Sequence, residues 1–249
     1  MTEASNKDFV VIDTTSGIQA INKGAPYKIM ATLTFGNFFI ASTGHDANNT
    51  MDAGDKIVLF NQNATPDLLF HYLYGNTYDA GIEYVANVQD AAKCLITSKN
   101  AVTGSDIDYV FIAQPVLLNA LAKNANAAKY ADIQEEYSKK SNGKKVIQAS
   151  LFIKNSLDRA MGGQFTKDLE SNIVALKNNP DLALDILNDM TSEEATSVYG
   201  VAPSLAVQAL KDNNGLGLGF EYASYIKEDI DAFLKDIQGL DETSKEIYW

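Results

Sequence analysis

Through residue 154, short β-branched and aromatic runs alternate with polar turns and stretches of helical spacing; beyond it only helical spacing continues. This rhythm predicts an α/β chain with mainly parallel strands, because a parallel pair needs a crossover long enough to hold a helix. The expected strands are Asp8–Asp13 (DFVVID), Tyr27–Thr34, Asn37–Thr43, Lys56–Phe60, Gly81–Ala86, Ile107–Ala113 and Lys145–Lys154. The expected helices are Ile18–Asn22, Thr65 to about Tyr74, Val88–Thr97, Val116 to about Asn124, Asp181–Met190, Ser204–Lys211 and Glu221–Ile237. Phe165, Leu169, Ile173 and Leu176 share the face of one more helix.

The strand ends carry the functional reading. Asp13-Thr14-Thr15-Ser16, Thr34-Phe35-Gly36-Asn37, Asn61-Gln62-Asn63-Ala64-Thr65, Asn87-Val88-Gln89 and Gln114-Pro115 each close a strand, and none contains Lys, Arg or His. In open α/β sheets, ligands bind beyond the carboxyl ends of the strands. Such residues offer uncharged hydrogen bonds and lack the titratable group that acid–base chemistry near neutral pH needs. In Phe60–Phe70 (FNQNATPDLLF), Thr65 reads as a helix N-cap, Pro66 suits the first turn and Asp67 suits the positive end of the dipole. Thr65, Asp67 and Leu68 would then supply N–H donors to a ligand, and Asp67 favours a neutral or zwitterionic one. The same loop also reads as an ordinary helix start.

Composition narrows the choice. A net charge of −12 repels nucleic acid, and the only arginine is Arg159, so bidentate anion forks are scarce. Arg159 reads as a salt-bridge partner before it reads as an anion contact. No run of eighteen apolar residues marks a membrane span, and Met1–Lys7 is too polar for a signal peptide. The chain is therefore expected to be cytoplasmic or to begin after an export signal. The lone Cys94 excludes an internal disulfide and a Cys-based metal cluster, and reads as a buried structural thiol. His45 and His71 are isolated, and Asp46, Asp52 and Asp55 lack calcium-loop spacing, so no metal is expected. Gly215, Gly217 and Gly219 (GLGLG) follow a helix rather than a strand, which removes a dinucleotide reading and leaves a flexible turn before the last helix. Phe220 and Tyr222 read as core before cleft lining. The Gln134–Lys145 charge cluster reads as a solvated helix end and loop.

Ile12–Ser42 (IDTTSGIQAINKGAPYKIMATLTFGNFFIAS) resembles the end of the first lobe in type II periplasmic solute-binding proteins, with Phe35 where that family's turn carries Trp. Gly54–Val58 is similar to the strand that opens the family's second lobe, and DYVFIAQP (Asp108–Pro115) to its strand ending in Pro. ASLFI (Ala149–Ile153) and ALKNNPDLA (Ala175–Ala183) resemble the return strand and the helix and turn after it. The likeness spans about residues 8 to 240 and is nearest the nitrate, sulfonate, taurine and thiamine-precursor branch. It implies a two-lobe α/β fold: residues 1–38 with 155–249 in one lobe, 39–154 in the other. It implies a non-enzymatic, extracytoplasmic receptor of an ABC importer, held to the membrane as a lipoprotein in its full-length form. A small polar solute would sit between the lobes, against Thr14, Thr15, Ser16, Thr34, Gly36, Asn37, Asn63, Ala64 and Thr65, with Asn87 and Gln114 as weaker contacts. No cofactor is implied; the partners are that solute and the importer's permease subunits. Two alternatives share the fold: an enzyme resembling thiamine-pyrimidine synthase, whose histidine and Cys-rich segment have no counterpart here, and a non-transport interaction protein. The family's usual first strand and helix have no match before Asp8, so the edge beside Asp8–Asp13 is expected to be open or covered by another chain.

Overall fold

The computed structural model describes residues 6–44, 50–191, 193–194, 202–211, 215–240 and 242–249. His45 and Asp46 lie outside them. Two compact units are assembled from interleaved segments: Met1–Gly36, Lys144–Leu182 and Gly217–Trp249 form the first, Asn37–Gly143 and Ala183–Leu216 the second. Residues 183–216 thus fall in the second unit, where the sequence division had placed all of 155–249 in the first.

The first unit holds β1 (Phe9–Asp13), β2 (Tyr27–Phe35), β8 (Ile147–Lys154) and β9 (Leu218–Tyr222), in the order β1-β8-β2-β9. Register puts Val10 opposite Phe152 and Val11 opposite Leu151, so alternate residues face opposite sides. On one side α1 (Thr14–Asn22) lies so close that a Cβ on Gly17 would stand 2.1 Å from the Phe152 ring. On the other, Leu151, Ile153, Met30 and Leu33 pack with Ile173 of α6 (Arg159–Asn178), and Phe9 and Trp249 close the margin. Arg159 lies over the Trp249 ring at 6.0 Å, a cation–π contact rather than the expected salt bridge. The last helix, α9 (Lys227–Gln238), buries Ile230, Phe233, Leu234 and Ile237, the single stripe its spacing demands.

The second unit holds β3 (Phe38–Ser42), β4 (Ile57–Phe60), β5 (Ile82–Val85), β6 (Tyr109–Ala113) and β7 (Ala128–Asp132), in the order β5-β4-β6-β3-β7. Its strands β3 and β4 are buried at every residue, which explains why, Ser42 apart, their sequence is apolar throughout. Around this sheet the chain forms α2 (Thr65–Tyr74), α3 (Val88–Thr97), α4 (Val116–Lys123) and α5 (Ile133–Lys140), with α8 (Pro203–Lys211) against α4; α7 (Leu182–Asn188) begins the return segment. Cys94 is buried in α3, as its apolar setting suggested.

Several expectations need correction. Among the described residues only β4-β5 and β4-β6 are parallel, while the other five pairings are antiparallel. The reason is that β8, β3 and β9 each run against the direction of their neighbours, so strand-helix rhythm in sequence does not become parallel adjacency in space. α1 starts at Thr14, not Ile18, because Asp13 caps it. β7 and β9 were not foreseen. AKYAD is half exposed and carries no apolar alternation, and β9 begins inside the glycine-rich run read as a turn. Gly217, at φ +61, brings its backbone against Phe35, whose N–H donates to Gly217 O at 2.8 Å. No helix among the described residues is long and apolar enough to cross a membrane.

Candidate functional site

In the first unit β1 and β2 flank β8 and run in the same direction. Asp13 and Thr34 are both registered with Ala149, so the carboxyl ends of the two strands meet at one edge of the sheet. This brings Thr14, Thr15 and Ser16 together with Thr34 and Gly36. The hydroxyls of the trio are not equivalent. Thr14 is buried and shares a 2.7 Å hydrogen bond with Ser150, which also meets Thr32 at 3.1 Å. Thr15 donates to the Asp13 carboxylate at 2.6 Å, and the Ser16 N–H donates to the same oxygen at 2.8 Å. Ser16 is exposed, and its hydroxyl has no partner among the described residues. Sequence reading missed Lys145, which pairs with Glu221 and sits 5.1 Å from the Phe35 ring centre, so this end carries a cation already neutralised.

In the second unit Phe60 is level with Val85, and Val58 with Val110, so β4, β5 and β6 end on one side. Asn61–Thr65, Asn87 and Gln114 follow directly from those ends. Asn37 joins them from the start of β3: the Gln114 N–H donates to Asn37 O at 2.9 Å, and Asn37 Nδ2 donates to Gln114 O at 3.1 Å. Asn87 is the N-cap of α3. Its Oδ1 accepts from the Asp90 N–H at 2.9 Å and its Nδ2 donates to the Asp90 carboxylate at 3.0 Å, so both of its polar atoms serve the helix start. Gln114 is 3% exposed; Oε1 accepts from the Leu118 N–H at 3.2 Å, while Nε2 has no hydrogen-bond partner among the described residues. A buried donor left unsatisfied costs about 1–3 kcal/mol, so this amide can take an acceptor beyond those the described residues give it.

The loop Asn61–Thr65 is explained first by its backbone. Asn61 and Asn63 have φ of 55° and 63°, the left-handed region that asparagine tolerates better than most residues. Thr65 is not the N-cap: Ala64 occupies that place, without a side-chain cap, and buried Thr65 is the first helical residue. The Leu68 N–H is taken by Ala64 O at 3.0 Å, so it is not a ligand donor. The tie that a cap would make comes from Asp67, whose carboxylate accepts from the Asn63 N–H at 2.7 Å. We expect Asn63→Ala to destabilise by about 0.5–1 kcal/mol, because alanine lacks the local side-chain hydrogen bonding by which asparagine tolerates the left-handed region, and Asn63→Gly, which has no Cβ, to cost less than Asn63→Ala. Urea titration of the two variants checks this; equal stabilities would show that the backbone does not dictate the residue.

Asp67 is the residue whose role the sequence least disclosed. It is 4% exposed, and besides Asn63 it accepts from the Tyr84 hydroxyl at 2.9 Å and lies 3.0 Å from His71 Nδ1. His71 Nε2 reaches Asp79 at 3.4 Å. Burial, then the hydrogen bond to Asp67, raises the Tyr84 phenol above its ordinary value. The carboxylate therefore braces the loop from below. Burial likewise pushes the Cys94 thiol up, which keeps it un-nucleophilic. Among the described residues no group of three His, Cys, Asp or Glu could hold a metal ion. In each unit the polar strand ends thus offer hydroxyls, amides and backbone groups for uncharged hydrogen bonding.

No family model and no curated relative matches the chain. Solved structures do resemble it. An ABC transporter structure from Parabacteroides distasonis aligns with TM-score 0.70 and 14% identity, over 96% of this chain and 80% of that one. The periplasmic aliphatic sulphonate binding protein from Escherichia coli aligns with TM-score 0.58 and 12% identity, over 100% of this chain and 78% of that one. A Candida albicans gene product, described as exhibiting the generic periplasmic binding protein fold, aligns with TM-score 0.54 and 9% identity, over 99% of this chain and 78% of that one. The chain has the periplasmic-binding-protein fold in its type II form.

Proposed function

We propose that this protein is the extracytoplasmic solute-binding component of an ABC importer, a receptor without catalytic activity whose ligand is a small, uncharged or zwitterionic polar molecule. The observation that carries this reading is the buried Gln114 amide with an unsatisfied Nε2, set where Asn37 and Asn61–Thr65 converge. The fold supports it, since its solved neighbours include an ABC transporter and a sulphonate-binding protein. The ligand class is argued from charge. Asp13, Asp67 and Asp90 stand at the starts of the helices that follow these strand ends, and Lys145 is already paired with Glu221. A sulphonate or nitrate would meet no uncompensated cation there. Asn63 would add a contact beside Gln114 in the second unit, and Ser16 and Gly36 offer further hydrogen-bonding groups in the first.

Calorimetric titration against zwitterionic amino acids, neutral pyrimidines and alkanesulphonates tests the proposal. Saturable binding is expected from the first two classes and not from the third. Gln114→Met removes the unsatisfied donors at similar volume. It is expected to change folding stability by no more than about 1 kcal/mol, because relief of the unsatisfied Nε2 offsets loss of the Leu118 N–H acceptor, while weakening the ligand at least about tenfold, or 1.4 kcal/mol. Unchanged affinity in a folded Gln114→Met protein would remove Gln114 from the site.

A further inference from the structure

We infer that a carboxylate docks at the start of α4, against Gln114 Nε2, which makes the ligand a free amino acid; the inference rests on the receptor reading above and narrows it to one substrate class. The donor is fixed in place. Gln114 Oε1 accepts from the Leu118 N–H, so the side-chain amide lies across the first turn of α4. The flipped amide would set Nε2 against that N–H, donor against donor, so the Leu118 N–H fixes which way the amide points. Nε2 is left beside the helix start, buried and with no partner among the described residues. It carries two hydrogens and accepts none, so its counterpart must be an acceptor.

The helix start adds an attraction of the same sign. The first turn of α4 is the positive end of the helix dipole, where a negative group is favoured. The neighbouring helix starts supply their own: α2 carries Asp67 in its first turn and α3 carries Asp90. α4 has no acid there, and its N-cap, Pro115, makes no side-chain hydrogen bond. Val116 and Leu117 are buried, so water competes poorly for a group placed against them. A neutral carbonyl would satisfy Nε2 and leave the dipole uncompensated. A carboxylate meets both demands, and hydrogen bonds to it are roughly twice as strong as neutral ones.

The other end of the ligand follows from the adjacent strand. β4 lies next to β6, so the start of α2 is one strand away, about 4.8 Å across the sheet. Asp67 stands there, and Asp90, one strand further, is already paired with Lys93 at 2.8 Å. No Lys, Arg or His lies in Asn61–Thr65, Asn87–Gln89 or Gln114-Pro115 to hold a simple anion. A carboxylate alone would be drawn to α4 and repelled from α2. A molecule with a carboxylate at one end and an ammonium group at the other suits both. All of these groups belong to the second unit.

A thermal-shift screen of the full chain against the common L-amino acids and neutral pyrimidines is the first test. Stabilisation by at least one amino acid is expected. That amino acid is then titrated calorimetrically beside its carboxamide, which has nearly the same shape without the negative charge. The carboxamide should bind at least about tenfold more weakly. Leu118→Glu places a like charge at the α4 start, where an acid suits the helix itself, and should weaken the amino acid at least about tenfold. Leu118→Gln, of the same size without the charge, should change its affinity by less than about threefold, and circular dichroism should be unchanged in both. Equal binding of the carboxamide, or equal effects of the two variants, overturns the inference. Binding of a pyrimidine without any amino acid overturns it too and leaves the receptor reading standing, whereas binding by neither class overturns both. Should Leu118→Glu fail to fold, the carboxamide comparison decides alone.

Discussion

Gly217→Ala is expected to destabilise the first unit by about 3 kcal/mol or more, from a left-handed penalty of roughly 1–2 kcal/mol and a disrupted backbone contact of roughly 1–3 kcal/mol. At φ +61 a Cβ is strained in itself, and here it would stand 2.0 Å from the Phe35 carbonyl oxygen. That atom belongs to the backbone of β2, so no rotamer change relieves the overlap. Relief requires moving β9 away from β2, and with it the Phe35 N–H bond to Gly217 O. Gly24→Ala is the matched control: its φ of +92 is also left-handed, but nothing lies within 4 Å of the added atom. Urea unfolding of both variants separates the terms. Equal losses would mean that conformational strain alone operates at Gly217, and that β9 is not clamped to β2 there.

Replacing Asp67 by Ala is expected to cost about 3 kcal/mol: three groups that converge on a buried carboxylate lose hydrogen bonds of roughly 1.5–3 kcal/mol each, and the relieved desolvation of the charge offsets part of that loss. Tyr84→Phe removes one of the three and should cost about half as much or less. The two variants also differ in alkali. The Tyr84 phenol is raised in the folded state, by burial first and by Asp67 second. Its contribution to stability is therefore whole below the unfolded value of about 10 and is lost as pH climbs past it toward the folded value. Tyr74, raised by burial and then by Glu136, acts in the same sense. Tyr84→Phe should flatten the fall in stability above about pH 10, and absorbance titration of Asp67→Ala should show a tyrosine ionising earlier than in the parent. An alkaline limb identical in all three proteins would refute the Asp67–Tyr84 link.

The elements that sequence disclosed are those where one local signal sufficed. Val88–Thr97 was legible from its apolar stripe, and β4 from an unbroken run of Ile57, Val58, Leu59 and Phe60. The misplaced elements depend on distant partners. β9 is a strand because Ala31, Thr32 and Thr34 lie across from it, a fact that LGFEY does not carry, and β7 is held by β3 although Ala128, Lys129 and Tyr130 are exposed. The same division runs through the site. Asn61–Thr65 was legible as a polar strand-to-helix loop, but not the left-handed backbone that selects its asparagines, nor the displacement of the cap from Thr65 to Ala64. Gln114 and Asn87 read alike in sequence, and only coordinates separate an amide fully engaged with Asp90 from one whose nitrogen is buried without an acceptor.

The interleaving of the two units bears on the order in which the chain becomes structured as it leaves the ribosome. All five strands of the second sheet lie between Phe38 and Asp132, so that sheet is complete before the middle of the return segment has been synthesised. Strand Tyr27–Phe35 is made earlier but matures later: one neighbour is Ile147–Lys154 and the other Leu218–Tyr222. Long-range pairings form slowly, and a vectorially emerging chain cannot make them ahead of translation. The apolar strands of the amino-terminal segment therefore remain unsheltered while most of the polypeptide is elongated. Translation that halts before Leu218 releases a product with one finished sheet and one strand, β2, open along a whole side.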